Sequence, residues 1–326
     1  MDTTARLKRR AGSPALAAHL LPLPGTQVSA KPVTVIGMPL DLGADRRGVD
    51  MGPSAIRYAG LKHELERIGI AVEDLGNVNI PSPESHPPRN ARAKYAEEIV
   101  RACRRLARMV SQAIERDRVA VVLGGDHSLA MGSIVGASRC HDKLGLLWFD
   151  AHADFNTPRT SPSGNVHGMP LAAVFQYGSP AMRALCKGSN VDAKRCALVG
   201  VRDTDEGERL LLKKAGLKVF TMEAIDRYGL QTVMRQAIET ASHGGTPFHV
   251  SFDVDVLDPG AAPGVGTPAI GGLTYRESLL AMEMISETAG LTSVDMVEVN
   301  PILDHQNITA KIVVNLLATL LGRRVL

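Results

Sequence analysis

The strongest constraint on the fold of this chain is a unit that recurs along it: a short apolar run, polar residues at its end, then a helical segment. Val119–Leu123 runs into Gly124-Gly-Asp-His-Ser128, and Leu144–Phe149 into Asp150-Ala-His-Ala-Asp154. Ala197–Val201 runs into Arg202-Asp-Thr-Asp205, Phe248–Phe252 into Asp253-Val-Asp255, and Ser293–Val297 into Glu298-Val-Asn-Pro301. Near-continuous apolar strands separated by helices form a parallel sheet covered on both faces. The pattern predicts one three-layer α/β/α domain with a mostly parallel central sheet. Ligands of such sheets bind at the carboxyl ends of the strands, where each of these polar clusters falls.

Around this rhythm the other elements can be placed. Val33–Met38 reads as a first strand, and Pro53 opens a helix with an apolar face of Ile56, Leu61, Leu65 and Ile68. A short strand is expected near residues 71–74, and Pro81–Pro88 is a loop. An amphipathic helix is expected over residues 90–118, with Ser128 capping the next one. Leu217–Phe220 is a further strand. Helices are expected to close at Gly216, to span Leu230–Ser242, to open at the capping box Thr274-Tyr-Arg-Glu277, and to span Asn307–Leu321. The glycines between Asp41 and Pro53 match neither G-x-G-x-x-G nor a P-loop, so nucleotide binding is not supported.

The net charge of +3 resides in residues 1–30, where Arg6, Lys8, Arg9 and Arg10 face a single acid, Asp2. No basic field remains to recruit nucleic acid. No apolar run approaches the roughly 18 residues that cross a membrane. Cys103, Cys140, Cys186 and Cys196 are scattered, which argues against a disulfide framework or thiolate metal site and fits a reducing compartment, the cytoplasm. Residues 1–30 pair a basic cluster with a short apolar stretch that His19, Pro22 and Pro24 interrupt. They read as a poorly ordered tail before a domain over residues 31–326, with an organelle address as the lesser alternative.

The chemistry resides at three strand ends. If the extended geometry of Leu144–Phe149 continues, Asp150, His152 and Asp154 project to one side. Singly, His127 could be a neighbour of a helix cap, and Asp253 and Asp255 could be turn residues before Leu257-Asp-Pro-Gly260. Together, four carboxylates and two imidazoles at one sheet edge call for a cation. Nitrogen and oxygen ligands without thiolate favour an ion such as Mn²⁺ over structural Zn²⁺. Four carboxylates exceed what one dication needs, so two ions sharing bridging carboxylates are expected, with a water ionised between them as nucleophile.

The motifs GGDHS (124–128), DAHADFN (150–156), SGNVHG (163–168), SFDVDVLDP (251–259) and EVNP (298–301) resemble those of the ureohydrolase family, specifically its arginases, in order and spacing from about Val33 onward. The resemblance implies hydrolysis of L-arginine to L-ornithine and urea at two Mn²⁺ ions. It implies one ion on His127, Asp150, Asp154 and Asp253 and the other on Asp150, His152, Asp253 and Asp255. A guanidinium is delocalised and permanently charged, so attack on its carbon needs a hydroxide and a carboxylate that positions the cation. Glu298 suits the carboxylate role, His167 the proton relay to the leaving amine, and Asp154 would also hold the hydroxide.

By the same resemblance, Asn156 and Ser163 would bind the substrate carboxylate, with Asn165 acting through water and Asp205 facing the α-ammonium. Ser161 stands where some members carry Thr, while Glu208 and Thr267 match supporting positions. The other seven histidines have no motif and read as structural or surface residues. The family implies a homotrimer or homohexamer. The rivals are an agmatinase-like or other guanidino-compound amidinohydrolase, a binuclear zinc or deacetylase-like enzyme, and a non-catalytic arginine sensor with a structural metal.

Overall fold

The computed structural model of the chain describes residues 31–85 and 87–324. The basic segment 1–30 lies outside the described residues. Among the described residues, eight strands form one sheet: β1 (Val33–Met38), β2 (Val72–Asn77), β3 (Val119–Gly124), β4 (Leu144–Phe149), β5 (Val191–Val201), β6 (Lys218–Thr221), β7 (Phe248–Asp253) and β8 (Leu291–Val297). Their order is β2-β1-β3-β8-β7-β4-β5-β6, and all neighbouring pairs are parallel. The expected α/β layering is therefore present, with a sheet that is wholly parallel among the described residues.

Strands β1, β3, β4 and β7 are buried at every position, as strands covered on both faces must be. Alternate residues feed two cores. Val121, Leu123, Leu147, Phe149, Val250 and Phe252 pack on one face with helices Leu230–Ser242, Tyr275–Ser286 and Ile308–Leu320. Ala120, Val122, Leu146 and Trp148 pack on the other with helices Ala96–Glu115 and Ala130–Ser138. The period-2 alternation thus divides each strand's side chains between the two helical layers.

The differences from the sequence reading have local causes. The expected helix after Pro53 is two helices, Gly52–Tyr58 and Leu61–Arg67, because Gly60 adopts φ 94° between them. The long amphipathic helix begins at Ala96 rather than near residue 90, behind Tyr95 in the left-handed region (φ 55°). Strand β5 starts at Val191, before its apolar part, and helices Pro170–Val174, Pro180–Cys186 and Met222–Tyr228 were not anticipated. They are five to seven residues long, too short to show a helical period. Ser128 does not cap the following helix. Asp126 instead caps the short 3₁₀ turn His127–Leu129 that leads into it, its carboxylate accepting from the Ser128 N–H at 3.1 Å.

The sheet order positions the chemistry. β3, β8, β7, β4 and β5 are consecutive neighbours, so five distant segments of sequence present their carboxyl ends side by side. The turn after β3 has no spare volume: a Cβ on Gly125 would lie 1.9 Å from the Leu40 carbonyl oxygen, so only glycine fits.

Candidate metal centre and substrate cavity

Asp150 is the first residue past β4. Its carboxylate accepts the His152 backbone N–H at 2.7 Å and the Trp148 indole N–H at 2.9 Å. The first of these bonds turns the chain, so the extended geometry does not continue through residue 154 as the sequence reading supposed. Asp154 reaches the cluster from a left-handed backbone (φ 49°), a strained conformation for a residue with a side chain. The three side chains still meet, but on different partners.

His127 Nδ1 lies 3.3 Å from an Asp150 oxygen, 3.1 Å from Asp154 and 3.2 Å from Asp253. His152 Nδ1 lies 3.0 Å from Asp255 and 3.5 Å from Asp150. Asp253 in turn accepts the Asp255 backbone N–H at 2.8 Å, and Asp255 that of Ala151 at 3.1 Å. Two groups of ligand atoms result, His127–Asp150–Asp154 and Asp150–His152–Asp255, the atoms of each lying within 4.8 Å of one another. Asp150 belongs to both.

This donor set fits a cation. His127 is fully buried and its Nδ1 makes no hydrogen bond, although three carboxylate oxygens surround it. A buried nitrogen without a partner is costly, and one facing carboxylate oxygens alone is matched by an ion placed among them. The carboxylates carry the complementary penalty. Burial and the charges of Asp255 and Asp150 push Asp253 well above the ordinary range, and burial with Asp150 pushes Asp154 to about 6. Burial acts on Asp150 in the same sense, but the His127 and His152 imidazoles outweigh it and hold its carboxyl low.

A cavity of about 180 Å³ lies against this cluster. His152, Asp154 and Asp253 line it, as do all seven residues expected at the substrate: Asn156, Ser161, Ser163, Asn165, Asp205, Glu208 and Thr267. His127, Asp150, Asp255 and Glu298 do not line it and are almost wholly buried. The wall is braced by polar contacts. Asn156 donates from Nδ2 to Asp205 at 2.8 Å and accepts from the Thr160 hydroxyl at 2.9 Å. Ser161 accepts the Gly164 N–H and Ser163 that of Asn165. Thr267 donates to Asp255 at 3.2 Å.

Glu208 braces this wall from within the protein. It accepts the Phe155 N–H at 2.7 Å and, as the N3 residue of a capping box, the Asp205 N–H at 3.3 Å. Burial pushes its carboxyl up to about 8. His167, also on the cavity, holds Glu298 Oε1 through Nδ1 at 3.2 Å. Burial alone would lower its pKa, but the Glu298 contact outweighs this and raises it to about 9. Glu298 itself has φ 65° and accepts the His127 backbone N–H at 2.9 Å, which joins the ends of β8 and β3.

Several contributors to the site carry little or no signal in the sequence. Trp148 stacks on His127 with ring centroids 4.0 Å apart and planes 10° from parallel; its i, i+2 relation to Asp150 was the available signal. Asp126 accepts from Gly43 at 2.8 Å as well as from Ser128, and the D-x-S spacing in GGDHS could have revealed it as a cap. Asp203 and Thr204 line the cavity beside Asp205. Ser251, beneath His127, carried no local signal.

Carboxylates and imidazoles gathered at the strand ends of a parallel α/β sheet, beside a polar cavity, define the class as metal-dependent hydrolase. The Arginase family model matches residues 31–322, and the chain belongs to the Arginase family. It is 47% identical to the arginase of Bacillus caldovelox over 91% of this chain and all of that one. It is 42% identical to the arginase of Staphylococcus aureus (strain MRSA252) over 91% and 99% of the two chains. The native structure of the B. caldovelox arginase superposes with a TM-score of 0.88 over 91% of this chain and 100% of that chain. The Entamoeba histolytica arginase solved with L-ornithine gives 0.83 at 31% identity, covering 90% and 99% of the two chains.

Proposed function

We propose that this chain is an arginase, hydrolysing L-arginine to L-ornithine and urea with two Mn²⁺ ions. The observation that carries the reading is the buried His127 Nδ1, unbonded and facing three aspartates, next to a second imidazole–carboxylate group that shares Asp150. His127, Asp150, Asp154 and Asp253 would hold one ion, and Asp150, His152, Asp253 and Asp255 the other. Bound there, the ions would neutralise the carboxylates and make a water acidic enough to serve as nucleophile near neutral pH.

The chain's own residues account for the rest. Asp154 would hold the nucleophile, and Glu298, set just behind the cavity lining, would orient the guanidinium, its carboxylate kept in place by the His127 N–H and the His167 ring. When the bond between the guanidinium carbon and the ornithine nitrogen breaks, that nitrogen must gain a proton. The Glu298 carboxylate against Nδ1 favours the protonated ring and leaves Nε2 to deliver the proton. Asn156, Ser161, Ser163 and Asn165 offer short polar groups to an α-carboxylate, and Asp205 a carboxylate to the α-ammonium, with Glu208 and Thr267 in support. This α-amino-acid end favours arginine over agmatine, which lacks the carboxylate.

Manganese is preferred to zinc on the thiol-free donor set. A cytoplasmic location is supported by four free cysteines, and a homotrimer or homohexamer by the family resemblance alone. The decisive experiment measures urea release from arginine and from agmatine with and without added Mn²⁺. A higher kcat/KM for arginine that depends on Mn²⁺ is expected. A higher kcat/KM for agmatine would make the chain an agmatinase, and no urea from either substrate would leave a binding protein.

A further inference from the structure

The centre of the sheet contains a polar group that the reaction does not use. His249, Ser251, Ser293 and Asp295 sit on β7 and β8 and are wholly buried, as is Ser133 from the helix above them. His249 contacts Ser293 Oγ through Nδ1 at 2.7 Å and Asp295 Oδ2 through Nε2 at 3.1 Å. The Ser133 hydroxyl donates to the same carboxylate oxygen at 2.6 Å and the Ser251 hydroxyl at 3.4 Å. Ser251 Oγ also lies 2.9 Å from His127 Nε2. These contacts form a continuous line from the sheet interior to the candidate metal centre.

Counting protons along this line fixes the state of its last member. A carboxylate only accepts, so Asp295 Oδ2 takes the Ser251 hydroxyl proton. That hydroxyl has one proton, so towards His127 it can only accept. His127 Nε2 must then be the protonated nitrogen. Its Nδ1, the atom facing Asp150, Asp154 and Asp253, is therefore the ring nitrogen turned towards a metal.

We propose that Asp295, acting through Ser251, is the positioning group that sets the His127 tautomer and thereby the affinity of one of the two metal ions. The inference rests on the two-ion reading of the site. Asp295 touches neither substrate nor either proposed ion, and it acts only through the hydroxyl. An imidazole fixed in this way is a better ligand, and loss of such an outer partner commonly lowers metal affinity by about 10- to 100-fold. His127 is not among the ligands assigned to the other ion (Asp150, His152, Asp253 and Asp255), so the effect falls chiefly on its neighbour.

The test is calorimetric titration of metal-depleted protein with Mn²⁺, in wild type, Ser251→Ala and Asp295→Asn. Ser251→Ala removes the hydroxyl. Asp295→Asn keeps the shape, but its amide can donate to Ser251 and so reverse the hydroxyl proton. Wild type should take up two ions. Both variants should retain one at wild-type affinity and bind the other about 10- to 100-fold more weakly. Circular dichroism of the metal-depleted proteins checks that they fold, and Ser251→Thr, which restores a hydroxyl, should recover the weakened ion. Two ions at wild-type affinity in both variants would overturn the positioning role while leaving the two-ion site intact, as would equal weakening of both ions. Fewer than two ions in wild type would overturn the two-ion reading and this inference with it.

Discussion

Replacing Glu208 with glutamine separates what this side chain holds together from what its charge costs. The residue is 3% exposed and its carboxylate accepts two backbone N–H groups, those of Phe155 and Asp205, so it ties the cavity wall to the start of helix Glu206–Ala215. Burial nevertheless lifts its pKa from 4.5 to about 8, with Asp154 and Asp150 adding to the rise. A carboxyl whose pKa is higher in the folded state binds its proton more tightly there. Its contribution to stability is therefore fully present below about pH 4.5 and is lost as the pH rises to about 8, beyond which the loss levels off. At 1.36 kcal/mol per unit, the charge costs about 1 kcal/mol at pH 5 and about 4 kcal/mol at pH 8. Glutamine carries no such cost. It can accept from Phe155 through its one oxygen but leaves Asp205 without an acceptor, a pH-independent loss of about 1 kcal/mol.

The variant should accordingly match wild type near pH 5 and be more stable by about 3 kcal/mol near pH 8. The assay is urea unfolding of both proteins, followed by circular dichroism across that range. Metal-depleted protein is used so that the repulsion from Asp150 and Asp154 is fully present. A stability difference between the two proteins that stays constant to within about 0.5 kcal/mol from pH 5 to pH 8 would refute the reasoning.

Asp253→Ala removes a carboxylate proposed to serve both ions, so activity should vanish and elemental analysis should find fewer than two Mn²⁺ per chain; an unchanged stoichiometry counts against that role. His167→Asn keeps a polar side chain without a titratable proton, and kcat should fall by about 10²- to 10⁴-fold with manganese content unchanged; loss of manganese would mean that His167 supports the ions instead. Gly125→Ala should cost about 3 kcal/mol, because its methyl would meet the Leu40 carbonyl at 1.9 Å; thermal unfolding near the wild-type temperature would refute the close approach. Cys103, Cys186 and Cys196 are buried, and burial raises their thiols, that of Cys186 to about 12. A thiol reagent should modify only Cys140 in the native protein and all four cysteines after unfolding; labelling of two or more before unfolding would contradict this packing.

What could be read in the sequence was what lies within a few residues of itself. The apolar runs that became β1, β3, β4, β7 and β8 announced a sheet covered on both faces, and the polar residues following them announced where its ligands would gather. The residues around the site were legible because they cluster there: Asp150, His152 and Asp154 lie within five positions, and the loop 156–165 follows at once. The supporting contacts were hidden because they depend on which strands become neighbours. His127 meets Ser251 across 124 positions and Glu298 across 171, while His249 meets Asp295 across 46. No local pattern marks Ser251 or Asp295, each of which sits among buried apolar neighbours in its strand. In isolation, a serine and an aspartate at such positions read as faults in a hydrophobic run. Buried polar residues inside a strand are costly unless they are paired, so they reveal that a partner exists but not where it lies. Here the strand order supplies that partner, by setting β7 between β4 and β8 and so bringing Ser251 under the imidazole at the end of β3.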